Sequence, residues 1–270
     1  MIRTRFGRRT AIVGIALAAV AGLSACTNAD ATVQTSHDVP EAPPPAAPAP
    51  TTAPRTAHPS SGTPAPPSTA PPFVKLMPGM KGAAVADLQQ KLTALGYWTG
   101  KVDGKYGDAT QQAVFALQKA AGIKPSGNFS ETTARALDAG IRPKARGKSG
   151  TLIEVDLKRD LVLFVANGQV NYILNASTGG GYTFEQDGHQ NVAITPKGHF
   201  KTYRVIDGPD NGPLGLLWRP RFFTGGVAIH GDSYVPPRPA SHGCVRISNE
   251  AIDWVWAMNL DPIGTTVWVY

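Results

Sequence analysis

The chain has 270 residues, enough for one large domain or two smaller ones, and its composition is that of a globular protein apart from 24 unevenly placed prolines. The net charge is +7, but it falls to about +3 without four N-terminal arginines: Arg3, Arg5, Arg8 and Arg9. No basic run interleaved with aromatic residues follows them, which argues against a nucleic-acid-binding protein.

Residues 1–25 have the pattern of a signal peptide. The four arginines precede an apolar run at 11–23 that is too short to span a bilayer comfortably and ends in small residues. The next letters, "LSAC", resemble the bacterial lipobox. This resemblance implies cleavage before Cys26 and diacylglycerol on its sulfur, hence a membrane anchor. A plain secretory signal is the alternative reading, and Arg8-Arg9 is compatible with export by the twin-arginine route.

Residues 26–72 are predicted to form a disordered tether that begins at the lipidated Cys26. Beyond Cys26 this segment is dominated by Pro, Ala, Thr and Ser and contains no aromatic residue. Such a composition cannot bury enough apolar surface to offset the loss of chain entropy on folding. We therefore expect an extended, partly polyproline spacer that holds the folded part away from a membrane.

Residues 73–140 predict a small all-α domain of three helices. The first helix has one apolar face, with spacings of three and four between Val85, Leu88, Leu92 and Leu95, and Gly96 is suited to end it. The second is predicted to start at Asp108 as N-cap, with Gln111 three positions on and with Val114 and Leu117 buried. Ser130 is predicted to cap the third helix.

The segments "GMKGAAVADLQQKL", "LGYWTGKVDGKYGDAT" and "AVFALQ" resemble the bacterial peptidoglycan-binding domain of cell-wall hydrolases. The resemblance covers nearly the whole helical module and implies that it binds the cell wall. The turn between helices is assigned to Asp103, Gly104, Tyr106, Gly107 and Thr110. Tyr97, Trp98 and Tyr106 could stack on sugars, but aromatic residues beside tight turns more often pack in the core, and that role is favoured here.

Residues 139–149 form a basic linker, and residues 150–270 have the pattern of a mainly-β domain. Apolar and polar residues alternate after Gly150, with turns predicted at 158–160 and at Asn167-Gly168. Further strands are expected at 172–177, 198–206, 226–230 and 267–270, and one late helix in "SNEAIDWVWAMNL". We predict a sandwich- or barrel-like fold with one helix, so that the whole protein is multi-domain.

The stretch "PASHGCVR" contains the lone cysteine of the folded part, Cys244. A secreted domain usually pairs its cysteines in disulfides, so an unpaired one needs a chemical reason. A thiol is a good nucleophile only as a thiolate, which requires a base or a positive field. His242 is close in sequence, and His230 ends the apolar strand "GGVAIHG". The spacing alone does not decide between them, although the support of a strand favours His230.

At these residues the chain resembles the bacterial L,D-transpeptidase catalytic domain, from "TPKGHF", "PLGLLWRP" and "FFTGGVAIHG" through to "PASHGCVR". The resemblance implies Cys244 as nucleophile and His230 as base, with the other ring nitrogen of His230 held by the carbonyl of Gly231. It also implies that His242 and Arg246 shape the site, that Ser241 supports the loop, and that N–H groups around Gly243 and Cys244 stabilise an oxyanion.

The reaction implied by the resemblance is acyl transfer on peptidoglycan. Cys244 would attack the carbonyl of the third residue of a tetrapeptide stem and release D-alanine. The side-chain amine of a second stem would then resolve the thioester, giving a cross-link between two third residues. No cofactor or metal is implied, carbapenems are expected to acylate the same thiol, and the enzyme is placed outside the cytoplasm, facing the cell wall.

Several alternatives stay open on the sequence alone. His230, His242 and Cys244 could ligate zinc, although no further Cys/His pair has the spacing of a structural site. Asp232 could orient His230, although a turn-capping role is favoured. Water as acceptor would make the protein an L,D-carboxypeptidase, and the acceptor choice is assigned to the loops "STGGGYTFEQDGHQ" and "DGPDNGPLGLLWRP". A wall-anchored scaffold without activity is the remaining class.

Overall fold

The computed structural model describes residues 73–270, so the predicted signal peptide, Cys26 and the proline-rich tether lie outside the described residues. In chain order this part has three helices, eleven strands, a fourth helix and a last strand. Within this part, no helix has both the length and the apolar character that a membrane span requires.

The three predicted N-terminal helices are present as α1 (Ala83–Ala94), α2 (Asp108–Ala120) and α3 (Glu131–Asp138). Ser130 caps α3 as predicted, since its hydroxyl accepts from Thr133 N at 3.3 Å. The prediction that Asp108 caps α2 is wrong by one residue. Gly107 takes the extended N-cap conformation, and Asp108 lies in the first turn, where a negative charge favours the helix dipole.

Two of the three turn aromatics are core residues. Tyr97 is fully buried and donates its hydroxyl to Ile141 O at 2.8 Å, while Tyr106 is 2% exposed and donates to Gly127 O at 2.9 Å. The predicted packing role is therefore confirmed for both. Trp98 is only partly buried and lies 5.8 Å from Trp254, centroid to centroid.

The turn before α2 is organised by a residue that the sequence pattern did not single out. Gln89 is buried on α1, and its amide oxygen accepts from Asp103 N at 3.1 Å and Gly104 N at 2.9 Å. Its amide nitrogen contacts Asp103 Oδ1, Lys105 O and Thr110 Oγ1 at 2.9–3.1 Å. Gln89 thus supplies the long-range contacts that fix the predicted turn.

The remainder is mainly β, as predicted. The strands are β1 (Thr151–Asp156), β2 (Leu161–Ala166), β3 (Gln169–Asn175), β4 (Thr183–Gln186), β5 (His189–Val192), β6 (Gly198–Lys201), β7 (Arg204–Val205), β8 (Pro209–Gly212), β9 (Gly215–Thr224), β10 (Val227–Asp232), β11 (Val245–Ser248) and β12 (Thr266–Val269). Helix α4 (Asn249–Ala257) lies between β11 and β12 and is capped by Ser248, whose hydroxyl accepts from Ala251 N.

The strands form two five-stranded sheets and one separate hairpin. The first sheet has the order β3-β2-β1-β12-β6. The second has the order β11-β10-β9-β7, with β8 also paired to β9, and β4 pairs only with β5. Pairing is antiparallel except between β1 and β12 and between β10 and β11. The β10–β11 pair is the one that positions the candidate site.

The first sheet is covered on both faces. Side chains on one face, among them Leu161, Leu163 and Ile173, join the core of the helical module. Side chains on the other face, among them Val162 and Phe164, join a second core shared with the second sheet and α4. Burial on both faces explains why the segment "LVLFV" of β2 is apolar without interruption.

The basic linker at 139–149 is packed against the first sheet. The carboxylate of Glu154 on β1 accepts from Arg146 N at 2.8 Å and Gly147 N at 2.7 Å. The Arg146 guanidinium lies 3.5 Å from the ring centroid of Tyr270. The linker is therefore fixed by hydrogen bonds and a cation–π contact.

Candidate active site

The parallel pairing of β10 and β11 brings the predicted nucleophile and base to one face of the second sheet. His230 is in register with Arg246, and Ile229 with Val245. Since side chains alternate along a strand, His230 and Asp232 on β10 share a face with Cys244 and Arg246 beside them. All four line one cavity of about 630 Å³.

The Cys244 loop, residues 233–244, connects these two parallel strands. Parallel neighbours need a crossover of a dozen or more residues, and here that crossover is a loop without a helix. The prediction that "SHGC" lies in a loop is confirmed. Cys244 is its last residue and immediately precedes β11, so the backbone that carries the thiol continues directly into a strand.

Cys244 is partly exposed and is the free cysteine of the described residues. Its Sγ lies 3.7 Å from the carbonyl oxygen of Gly226. Burial raises the pKa of the thiol, and the Ala228 backbone and the positive charge of Arg246 oppose this shift only in part. This shift disfavours the thiolate, so the thiol depends on a neighbouring base to accept its proton.

His230 is 2% exposed, and its Nδ1 lies 2.8 Å from the Gly231 carbonyl oxygen. Burial lowers the pKa of His230 from 6.5 to about 4, so the ring is neutral at pH 7. A carbonyl can only accept, so the single ring proton resides on Nδ1. The other ring nitrogen, Nε2, is then free to accept a proton.

Burial of a neutral histidine makes stability depend on pH. The unfolded chain takes up a proton as pH falls below 6.5, whereas folded His230 resists protonation down to about pH 4. The stabilisation is fully present above pH 6.5 and is lost as pH falls toward 4, by about 3 kcal/mol in total.

Urea unfolding of the wild type and of His230→Gln at pH 7 and pH 4.5 tests this pH dependence of stability. The drop in unfolding free energy between the two pH values should be smaller in the variant, by roughly 2 kcal/mol. Other titrating groups cancel in this comparison. An equal drop in both proteins would mean that His230 is not buried as a neutral ring.

Ser241 and Gly243 shape the turn before Cys244. The Ser241 hydroxyl donates to Cys244 O at 2.5 Å and accepts from Gly243 N at 3.0 Å. Gly243 has φ +147°, and a Cβ there would lie 2.9 Å from Ile194 O, so a larger residue would be strained and crowded. Because the Gly243 N–H is already donated to Ser241, the N–H of Cys244 is the better candidate to face a substrate oxygen.

Two threonines that sequence reasoning missed hold this loop from the opposite side. The Thr195 hydroxyl donates to Gly243 O at 2.7 Å and accepts from Gly179 N at 2.9 Å. The Thr178 carbonyl accepts from Ala240 N and from Ser241 N, both at 2.9 Å. Both threonines are buried. The signal for them was present in "STGGG" and "ITPKG", but nothing local in these stretches identifies their distant partners.

His242 is placed away from the core and packs against the β4–β5 hairpin. Its ring lies 4.7 Å from that of Phe184 and 5.4 Å from that of Tyr182, both in edge-on geometry. Partial burial and the positive charge of Arg246 lower its pKa. His242 therefore joins the Cys244 loop to a hairpin at the rim of the cavity.

Asp232 and Arg246 form an ion pair in the cavity, with Arg246 Nε 3.2 Å from Asp232 Oδ2. The other carboxylate oxygen of Asp232 accepts from Tyr234 N at 3.0 Å. This is the turn-capping role that the sequence favoured over a direct contact with His230. Arg246 is thereby held where its charge acts on both Cys244 and His242.

The two loops assigned to acceptor choice both border the cavity. "STGGGYTFEQDGHQ" contains the β4–β5 hairpin, which contributes Phe184 and Gln186, and "DGPDNGPLGLLWRP" contains the β8–β9 hairpin, which contributes residues 210–217. His189 and His199, which were expected to be ordinary, lie on β5 and β6; His199 stacks on Trp268 at 4.5 Å.

Zinc ligation by His230, His242 and Cys244 was an alternative on the sequence alone. Within residues 73–270, no three His, Cys, Asp or Glu side chains are grouped so as to hold an ion. A thiol, a buried neutral imidazole and an N–H donor around one cavity can support nucleophilic substitution at a carbonyl carbon.

Comparisons with known proteins give matches for both the mainly-β domain and the helical module. The sequence matches the family model of the L,D-transpeptidase catalytic domain over residues 150–269, and that of a putative peptidoglycan binding domain over residues 81–137. The crystal structure of an L,D-transpeptidase from Xylanimonas cellulosilytica is 48% identical, with a TM-score of 0.71, and the match covers 74% of this chain and 100% of that one.

Two amidases of Bacillus licheniformis are also similar over part of the chain. A probable N-acetylmuramoyl-L-alanine amidase is 39% identical over 137 residues, which is 48% of this chain and 37% of the amidase. The N-acetylmuramoyl-L-alanine amidase CwlL is 41% identical over 78 residues, 28% of this chain and 22% of the amidase. The chain therefore spans well under half the length of either amidase.

Proposed function

Because the chain belongs to the L,D-transpeptidase family, we propose that it cross-links peptidoglycan stems through a thioester on Cys244. The observation that carries the proposal is that His230 on β10 and Cys244, directly before the parallel neighbour β11, face one cavity. The same proposal assigns the helical module to binding of the cell wall. It also assigns Cys26 to lipid anchoring at the outer face of the membrane.

The first half-reaction forms the thioester. Sγ of Cys244 attacks the carbonyl carbon of the third stem residue while its proton passes to Nε2 of His230, which starts neutral. The Cys244 N–H donates to the oxygen as it becomes negative. When the tetrahedral intermediate collapses, the C–N bond to D-alanine breaks. The departing amine takes the proton from His230, and D-alanine leaves.

The second half-reaction transfers the acyl group. The side-chain amine of the third residue of another stem attacks the thioester carbonyl and gives up a proton to His230. The C–S bond then breaks, the sulfur recovers a proton from His230, and a cross-link between two third residues is released. The two hairpins at the cavity rim are the segments placed to select this amine over water.

Product analysis tests the proposal. The purified full-length protein is incubated with a disaccharide-tetrapeptide, and the products are separated and weighed by mass spectrometry. We expect cross-linked dimers that have lost one D-alanine. Monomeric tripeptide as the product would instead indicate an L,D-carboxypeptidase. No product from folded protein would contradict an enzymatic role and favour the scaffold.

A further inference from the structure

We propose that Asp160, held by Lys119 of the helical module, is a positioning residue for the Cys244 loop. The conformation of the Cys244 loop would then depend on α2, a helix of the helical module. The inference rests on the proposed function for its link to turnover, but it stands on contacts that do not involve the substrate.

The Thr178 peptide group is the point at which the loop is supported. Its carbonyl accepts from Ala240 N and Ser241 N, three to four residues before Cys244. Ser241 in turn donates to Cys244 O. A shift of Thr178 would therefore be passed directly to the residues that orient the thiol.

Asp160 holds Thr178 from the other side. Its Oδ1 accepts from Thr178 N at 2.9 Å, and its side chain is 5% exposed. Asp160 lies in the turn between β1 and β2 with φ +58°. Its carboxylate is thus the only side-chain group that the described residues offer to the Thr178 N–H.

Lys119, in the last turn of α2, fixes Asp160 in place. Its Nζ lies 3.4 Å from Asp160 Oδ2, 3.0 Å from Asp160 O and 2.9 Å from Ala176 O. Its side chain is 6% exposed, and burial lowers its pKa to about 8. A buried ion pair contributes little net stability compared with an apolar pair, so a positional role accounts for it better than a stabilising one.

The same helix contacts the start of the loop about two turns earlier. Gln112 donates to Val235 O at 3.2 Å and accepts from Asn175 Nδ2 at 2.6 Å. Ser177 donates to Arg238 O at 2.8 Å, midway along the loop. Helix α2 therefore supports the loop at its beginning directly and near its end through Asp160 and Thr178.

Two double variants test the role of the Asp160 oxygen without leaving a buried charge. Lys119→Met/Asp160→Asn removes both charges but keeps an oxygen that can accept from Thr178 N. Lys119→Met/Asp160→Gly also removes both charges, accepts the positive φ without strain, and lacks that oxygen. Lys91→Ala is the control for a change in the same module, since it breaks an ion pair between α1 and Asp138 of α3 in which both side chains are more than 60% exposed.

Two measurements are made on each protein: kcat and KM for D-alanine release from the tetrapeptide, and the rate of Cys244 alkylation by iodoacetamide. Both are made well below the melting temperature of each protein. We expect the Gly variant to lose at least about tenfold in kcat relative to the Asn variant, with KM within about twofold. The alkylation rate should differ between the same two variants, and Lys91→Ala should match the wild type.

Equal kcat and equal alkylation rates in the folded Asn and Gly variants would overturn the positioning role. Failure of the proposed function is distinguished from this by the wild type itself, which would then yield tripeptide without cross-linked dimers, or would release no D-alanine at all. In that case the alkylation rates alone decide: a difference between the two variants supports the positioning role, and equality contradicts it.

Discussion

Replacing Cys244 with serine is expected to lower the rate of D-alanine release by at least about 10⁴-fold, with little change in folding. The hydroxyl of serine is a far weaker acid than a thiol, and the neutral His230 is a weak base that cannot readily deprotonate it. The measurement is the release of D-alanine from a tetrapeptide stem, together with the mass of the protein after exposure to a carbapenem.

The matched control is Cys26→Ser, which removes the other cysteine of the chain. We expect that variant to release D-alanine at the wild-type rate and to gain the mass of one carbapenem, whereas Cys244→Ser gains none. Similar melting temperatures would establish that both variants are folded. Retained activity in Cys244→Ser would show that the nucleophile lies elsewhere.

Replacing His230 with glutamine is expected to lower kcat by about 10²- to 10⁴-fold while KM changes little. Glutamine can still donate to Gly231 O but cannot take up the thiol proton. Because the pKa of His230 is lowered to about 4, the base is already unprotonated throughout the neutral range. Activity of the wild type should therefore fall only below about pH 5 through this group.

The control for this prediction is His199→Gln, an exposed ring stacked on Trp268 on the first sheet. It should leave kcat unchanged. If His230→Gln kept kcat within about threefold of the wild type, the proton acceptor would have to be another group, and His242 would be the next to test.

The sequence predicts those elements whose pattern is local. The apolar face of α1, the Ser130 cap and the turns that join β1, β2 and β3 all follow from spacing and turn chemistry. The loop conformation of "SHGC" follows from its glycine and the prolines before it. These features are fixed by residues within a few positions of one another.

The longest strand, β9, was not predicted because its residue types are unusual for a strand in the interior of a sheet. Its segment "GLLWRPRFFT" contains a proline and two arginines, which argue against an interior strand. Arg221 is nevertheless 2% exposed, because it donates to Asp261 O, forty residues away. No local pattern contains that partner.

The β4–β5 hairpin is a different case, because its signal was present. Asp187 and Gly188 form a two-residue connection with φ +53° and +75°, which is the pattern favoured between antiparallel strands. The flanking residues are polar and mostly exposed, so the alternation that normally indicates a strand was absent. The hairpin mattered because it carries Phe184, which packs on His242.

The proposed nucleophile and base could be singled out from the sequence, but the groups that support them could not. Cys244 and His230 stand out by residue type and by family resemblance. Thr178, Thr195 and Asp160 act on the loop through contacts between residues far apart in the chain, and their residue types are common in any turn. Only the folded arrangement brings them together.

The thioester on Cys244 is best tested by trapping the protein during reaction with a disaccharide-tetrapeptide by rapid acid quench, and by mapping the modified peptide by mass spectrometry. We expect a mass gain equal to the donor minus D-alanine, located on Cys244. D-alanine release with the adduct on another residue, or with no adduct on Cys244 at any time, would contradict it.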